Sequence, residues 1–453
     1  MSAASETLPP PNRTLLDRLL APFSQVQGGE GAGALLLAAN VFLLLGSYYV
    51  LKTVREALIL SESGAAVKSY ASAGQAVLMF LLVPAYSWFG SRVGRLTLVA
   101  GSTLFFAAHL AVFFLLGQSG LKIGIPFYLW LGVYNMFVVA QFWAFSNDLY
   151  TEEQGKRLFP IIGVGASLGA WLGALAAKEL FKLFSPYQLM LLVIGILAAC
   201  VALTYLSHLR SQRQAAPTTA KAAEAPLDRA GGFALVFQNR YLLLIALLVL
   251  LLNLVNTTGE FLLGDFVAGQ ATDRFGPGDA TAAQRGAFIG QFYGDFFGWV
   301  NLLGFLIQTF FVSRIFKYAG IGAALFVLPV IALLGYGFLI FVPVLAIVRT
   351  AKILENATDY SLNNTVRHAL FLNTSREAKY KAKAAIDTFF VRFGDLIQAA
   401  VVFIGTTLAW TTKNFALLNA IFVLVWLVIA WRIYRLYKQQ EAGAQAANPP
   451  SPK

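Results

Sequence analysis

Apolar runs of about 20 residues recur along the chain, separated by short polar stretches. "GAGALLLAANVFLLLGS" (31–47) and "LLLIALLVLLLNLV" (242–255) are typical. No strict alternation of apolar and polar positions is needed to describe them. The runs exceed the length of a buried strand and match a helix that crosses a hydrocarbon layer of about 30 Å at 1.5 Å per residue. The pattern predicts spans near 33–59, 68–89, 96–117, 124–149, 159–182, 187–207, 240–266, 288–312, 318–338, 341–366, 382–408 and 414–437. The expected fold is therefore an all-α integral membrane protein of about twelve helices.

The longest polar stretch between spans, 208–238, divides these helices six and six. The expected organisation is an N-terminal segment 1–30, a six-helix half 31–207, a flexible linker 208–238, a second half 239–438 and a disordered tail 439–453. Two six-helix halves joined by a central linker are the layout of the major facilitator fold. A short internal similarity agrees with it: "FWAFSNDLY" in span 4 resembles "LENATDYSL" in span 10, placing Asp148 on Asp359.

Several predicted spans carry charge. "YYVLKTVREALIL" (48–60) holds Lys52, Arg55 and Glu56. Span 7 has Asn253, Asn256 and Glu260, and span 8 has Gln291 and Asp295. Span 10 has Arg349, Lys352, Glu355, Asn356, Asp359 and Asn363, three to four residues apart and so on one helix face. Span 11 has Asp387, Arg392 and Asp395. Each charge costs about 2.5–3.5 kcal/mol at a helix centre on insertion scales, so these faces look into the bundle or a watery cavity. Two readings stay open. The groups are structural ion pairs, Arg55 with a carboxylate and Arg392 with Asp387 or Asp395. Alternatively, the cations line a central cavity for an anion, and carboxylates pair with them when it is empty.

Composition fixes the solvent: 58% of residues are hydrophobic and 12% charged, half the charged share of a soluble domain. The net charge of +12 invites a nucleic-acid reading, but its distribution explains it. About 22 of the Lys and Arg fall on the side that holds both termini, and about 6 on the other, namely Lys68, Lys122, Lys182, Arg274, Arg285 and Lys413. The expectation is a multi-pass protein of the inner (cell) membrane, both termini cytoplasmic, monomeric, with no nucleic-acid partner. The single Cys200 and three scattered His exclude a disulfide framework and a metal site. No phosphate-binding loop or catalytic triad is present, so no enzyme and no cofactor is expected. "GVGASLGAWLG" (163–173) lacks the Gly-Lys-Ser/Thr ending and reads as close helix packing by small residues.

The segment "FWAFSNDLYTEEQGKRLFPIIGVGASLG" (142–169) resembles the span 4–5 signature of the nucleotide (ATP/ADP) translocase family, FWxFANxxTxxEAKRFYPLxGxGAN. "YVLKTVREALIL" (49–60) resembles the charged end of that family's first span, and "YGDFFGWVNLL" (293–303) its span 8 motif. "ILENATDYSLNNTVRHALFLNTSREAKYKAKAAID" (353–387) is similar to its ILSKSxKYSLFDPxKE…KxKGKAAID region without a gap. The resemblance implies a secondary transporter exchanging nucleotides or related phosphorylated anions. Lys52 and Arg55 match family basic residues, and Arg367 matches a family lysine. The family's span 4 glutamate falls in "YLWLGVYNMF" (128–137), its span 7 glutamate falls on Asn256, and Asp359 replaces a lysine, which marks a divergent branch.

The expected substrate-binding residues are Lys52, Arg55, Asn256, Glu260, Arg349, Lys352, Asn356 and Arg392. Gating or coupling is expected of Glu56, Asp148, Lys156, Asp295, Asp359, Lys383 and Asp387. The expected function is ATP/ADP-type antiport by alternating access across the bilayer. The alternatives are a proton-coupled carrier of another organic anion and a transport-inactive scaffold.

Overall fold

A computed structural model describes residues 14–20, 25–90, 92–214, 231–372 and 374–447. The described residues form α1 Leu15–Leu20, α2 Glu30–Glu62, α3 Gly64–Gly90, α4 Arg95–Gln118, α5 Gly124–Leu149, α6 Glu152–Leu180 and α7 Pro186–Gln214. They continue with α8 Gly232–Gln238, α9 Arg240–Phe275, α10 Ala282–Leu306, α11 Val312–Tyr318, α12 Gly320–Ala324 and α13 Val327–Phe341. The last are α14 Leu345–Thr358, α15 Asn364–Ala369, α16 Lys383–Ala385, α17 Val391–Thr407 and α18 Thr412–Ala447.

Local chemistry explains the ends. Thr151 and Gln154 form a capping box that starts α6. The Asn239 side chain accepts from the backbone N–H of Tyr241 and Leu242 to start α9. Pro186 opens α7, where its missing N–H costs nothing. Pro343 stands in the break between α13 and α14. Gly64, at φ 81°, reverses the chain between α2 and α3 in a conformation that side chains resist.

Eleven helices among the described residues are long and apolar enough to cross a membrane. The twelfth expected span is helical over Leu345–Thr358, a π-helical turn Asp359–Asn363 and Asn364–Ala369. Its charges, not its length, keep it from the apolar set. Three more π turns, Ile307–Phe311, Ala378–Ala382 and Ile386–Phe390, interrupt the C-terminal helices. The expected span 318–338 is broken into α12 and α13. The expected linker is helical at both ends, since α7 runs to Gln214 and α8 covers Gly232–Gln238. α18 continues to Ala447, into the expected tail segment. The remainder of that tail, the linker interior 215–230 and residues 1–13 lie outside the described residues.

Two compact units arise. The first holds Met1–Val54, Val83–Leu121 and Trp130–Lys221, and the second holds Arg55–Leu82, Lys122–Leu129 and Ala222–Lys453. In the first, α2 and α6 touch through backbone. A Cβ on Gly165 would stand 2.5 Å from the Ala38 carbonyl oxygen, and one on Gly169 would stand 2.3 Å from that of Phe42. The small-residue run 163–173 is thus a packing seam. Gly169→Val forces these helices apart and is expected to cost about 1–3 kcal/mol. A thermal-unfolding midpoint in detergent unchanged from wild type would contradict it.

The same unit fastens its N-terminal helix. The buried Asp17 carboxylate accepts from the N–H of Gly31 at 2.8 Å, Gly29 at 3.0 Å and Thr14 at 2.7 Å, and from the Thr14 hydroxyl at 2.8 Å. A Cβ on Gly31 would meet Asp17 Oδ1 at 2.6 Å, so this close approach requires glycine. Burial alone raises the Asp17 pKa, but the Gly29, Thr14 and Gly31 donors outweigh it and bring it to about 2. With the folded value below the unfolded one of about 3.9, its contribution is full above about pH 4 and fades as pH falls toward about 2. Asp17→Asn is expected to flatten that acid limb of thermal stability. A limb as steep as in wild type would assign it to other carboxylates.

In the second unit, α9, α13, α14, α17 and α18 pack around Trp426, Leu252, Tyr336 and Phe261, and α10 adds Tyr293 and Phe296. The turn end of α2 and the first half of α3 belong here as well. Arg285 donates to the carbonyls of Ser61 (3.1 Å), Gly276 (3.0 Å) and Gly278 (2.8 Å), tying α2 to α9 and α10.

Candidate functional site

The second unit gathers buried charge from four helices. Arg55 Nε donates to Glu56 at 3.1 Å, and its guanidinium lies over the Tyr128 ring. Glu56, 1% exposed, also pairs with Lys68 of α3 at 2.7 Å. Lys68 stands 3.9 Å from Glu260 of α9, which is 4.0 Å from Lys352 of α14. Lys352, 1% exposed, pairs with Glu355 at 2.9 Å and donates to Asn256 Oδ1 at 2.5 Å and the Asn256 carbonyl at 3.1 Å. Asn356 Nδ2 donates to Glu260 at 2.9 Å, and the Tyr336 hydroxyl donates to Glu355 at 3.2 Å.

The charges alternate in space as Arg55, Glu56, Lys68, Glu260, Lys352, Glu355. Three cations face three carboxylates, so the ladder is formally neutral. Burial favours this pairing, because an uncompensated buried cation costs several kcal/mol. Glu260 is the loosest rung. Its side chain is 21% exposed, and both its cation contacts lie near 4 Å.

The other expected residues make contacts of their own. Lys52 belongs to the first unit, its ammonium 5.2 Å from the centre of the Tyr49 ring. Arg349 pairs with Asp295, both partly exposed. Arg392 pairs with Asp395 at 3.2 Å, and Asp395 also accepts from Asn253 at 2.9 Å. Asp387 takes Lys383 and, at 3.3 Å, Arg367. Asp359 accepts from Asn363 at 2.7 Å. Asp148 pairs with Arg95 at 2.6 Å on an exposed face. Lys156 is exposed near the start of α6, while its neighbour Arg157 takes Glu30 at 2.8 Å.

Three members were not legible as such. Lys68 stands at the very start of an expected span, yet it lies in the second turn of α3 and is buried against Glu56. Its only sequence signal is an unmatched lysine twelve residues after a glutamate, across a tight turn. Arg285, which precedes the expected span 288–312, is buried in α10. Tyr336, a partner of Glu355, lies in an all-apolar run with no signal.

The family described as "TLC ATP/ADP transporter" matches residues 308–439. ADP,ATP carrier protein 1 of Chlamydia trachomatis is 24% identical over 367 residues, covering 69% of this chain and 66% of that protein. ADP,ATP carrier protein 4 of Rickettsia felis is 23% identical over 352 residues, covering 67% and 65%. The chain spans just under two thirds of the length of these relatives. Among solved structures, the nucleoside transporter NupG aligns with TM-score 0.62 at 16% identity, over 90% of this chain and 99% of its own. A bacterial homologue of the iron transporter ferroportin, in an inward-facing state, aligns with TM-score 0.62 at 15% identity, over 89% and 98%. At such identities the likeness establishes the fold alone: an all-α fold of many membrane-crossing helices, shared with these two proteins.

Proposed function

We propose that the chain is a divergent member of the nucleotide (ATP/ADP) translocase family and that it exchanges anionic phosphorylated metabolites of the ATP/ADP type by alternating access, a reading supported by the family match over 308–439 and by the carrier relatives. The observation that carries the proposal is the buried ladder whose cations are held by exchangeable carboxylates. A phosphate oxygen is chemically equivalent to a carboxylate oxygen as an acceptor for Arg or Lys. An entering polyanion thus takes over contacts that Glu260 makes weakly, and the freed carboxylate moves into water. In this reading Arg55, Lys352, Asn256, Glu260 and Asn356 bind substrate, with Lys52, Arg349 and Arg392 adding cations. Glu56, Asp148, Lys156, Asp295, Asp359, Lys383 and Asp387 serve gating or coupling, with ion pairs that break and re-form as access alternates.

The charge bias of the loops supports an inner-membrane protein with both termini cytoplasmic. The reading needs one copy of the chain and no nucleic acid. Purified protein in vesicles preloaded with ADP is expected to take up labelled ATP, whereas empty vesicles take up none. Equal uptake by loaded and empty vesicles would refute exchange, and no uptake in either would refute nucleotide transport.

A further inference from the structure

Glu260 is placed unlike the other carboxylates of the ladder. Glu56 lies 2.7 Å from Lys68 and Glu355 lies 2.9 Å from Lys352, and both carboxylates are nearly sealed, with side chains 1% and 5% exposed. Glu260 spans the gap between these two pairs. Its Oε2 stands 3.9 Å from the Lys68 ammonium and its Oε1 4.0 Å from that of Lys352, and the Asn356 amide donates to Oε1 at 2.9 Å. At 21% exposed, its side chain is the most open of the three. Neither ammonium depends on it for its place. Lys68 also lies 5.4 Å from the centre of the buried Tyr293 ring, and the next residue, Ser69, accepts from Gln398 at 3.0 Å, which fastens α3 to α17. Lys352 donates to the Asn256 carbonyl and lies against α9 where Gly259 has no side chain. A Cβ there would stand 2.8 Å from the Lys352 Cδ and 3.2 Å from its Nζ.

We propose that Lys68, Lys352 and the Asn356 amide form a seat for one phosphoryl group, and that the Glu260 carboxylate is its built-in occupant. For the identity of the ligand this rests on the anion-exchange reading. Each lysine keeps a carboxylate of its own at short range, and a third carboxylate is held loosely between them. That third carboxylate is the one whose departure strands no charge pair. Glu260 is tethered to α9 and reaches neither ammonium within hydrogen-bond distance. A phosphoryl group has no such tether and brings three acceptor oxygens to the same donors.

The charge count sets the class of ligand. With Glu260 swung into water, Arg55, Lys68 and Lys352 face only Glu56 and Glu355, and the ladder lacks one negative charge. A singly charged carboxylate entering there replaces like with like. A phosphoryl group past its second ionisation brings more charge and one more oxygen, so it competes with Glu260 where a monocarboxylate does not. Glu260 is in this way a selectivity residue. Lys68 becomes a substrate-binding residue on α3, a helix that holds no other member of the expected binding set. All the groups of the seat belong to the second compact unit.

The test uses pyrophosphate, a phosphoryl ligand without a nucleoside, and the full chain purified in detergent. Titration calorimetry is expected to show pyrophosphate binding to wild type, with acetate unable to compete. Glu260→Gln should bind pyrophosphate about tenfold more tightly, because no carboxylate has to be displaced, and should let acetate compete. Glu56→Gln/Lys68→Met removes one charge of each sign and leaves the net charge of the ladder unchanged, yet it should bind about tenfold more weakly. Infrared difference spectra on adding pyrophosphate should show a carboxylate band moving toward the hydrated position in wild type and no such change in Glu260→Gln. The proposal is overturned if wild type binds no pyrophosphate, if Glu260→Gln binds it no more tightly, if the double variant binds it undiminished, or if the carboxylate band stays still. Should the double variant not fold, the Glu260→Gln calorimetry and the spectra decide alone. A protein that binds pyrophosphate in this way but exchanges no nucleotide keeps the seat and loses only the nucleotide reading, so the two failures are read separately.

Discussion

Replacing Lys68 with methionine is expected to remove about 3–5 kcal/mol of stability, the usual cost of leaving one member of a buried ion pair alone. Glu56 is 1% exposed, and without Lys68 it keeps only Arg55 of its two cations. Glu260 simultaneously loses one of two contacts. The double variant Glu56→Gln/Lys68→Met is expected to recover most of that loss, because it removes the stranded charge as well. Thermal unfolding of the purified protein in detergent measures both. A single variant as stable as wild type would mean that the ladder is not held by this pair. A double variant no better than the single would mean that Lys68 acts through packing of its alkyl stem.

The second large effect concerns the ligand. With ADP at about 100 times its dissociation constant, binding stabilises the folded protein by about 2.7 kcal/mol. Lys352→Gln and Arg349→Gln are each expected to abolish most of that increment. Lys52→Gln, at another of the proposed substrate-binding cations, should do the same. The unliganded stabilities should differ in a telling way. Lys352→Gln leaves Glu355 and Asn256 without their buried donor and lowers stability, whereas Arg349→Gln, at a partly exposed pair, changes it little. Ligand-dependent unfolding midpoints for the four proteins check this. If all three variants keep the full ADP increment, these residues are structural ion pairs and the substrate lies elsewhere. If wild type shows none, the nucleotide reading itself falls.

The helices were legible because the bilayer demands a long apolar run for each crossing, and eleven helices among the described residues show it. The charged faces of α2, α9 and α14 were legible from helical spacing, since a polar stripe inside a membrane is costly enough to be conspicuous. Their partners were not. Periodicity fixes which residues share a helix face, but says nothing of which face meets which. Lys68 shows the limit: close to the turn, it resembles a loop lysine until the packing of α3 on α2 encloses it. The π turns at Ile307–Phe311 and Asp359–Asn363 left no sequence mark, because one extra residue per turn needs no Gly or Pro. The neutrality of the ladder was hidden for the same reason. Its six members come from α2, α3, α9 and α14, and a positive lining follows only if the cations are counted without the carboxylates opposite them.

The tight turn at Gly64 also bears on how the chain is made. Glu56 and Lys68 are twelve residues apart and meet across it, so they neutralise each other as soon as α2 and α3 leave the ribosome as a hairpin. Glu260 emerges only after four more crossings and Lys352 after seven. The nascent protein thus carries an early, self-contained pair through biogenesis and completes the remaining rungs afterwards. Insertion of the first hairpin should therefore depend on Lys68 even in a truncated chain that ends before α9.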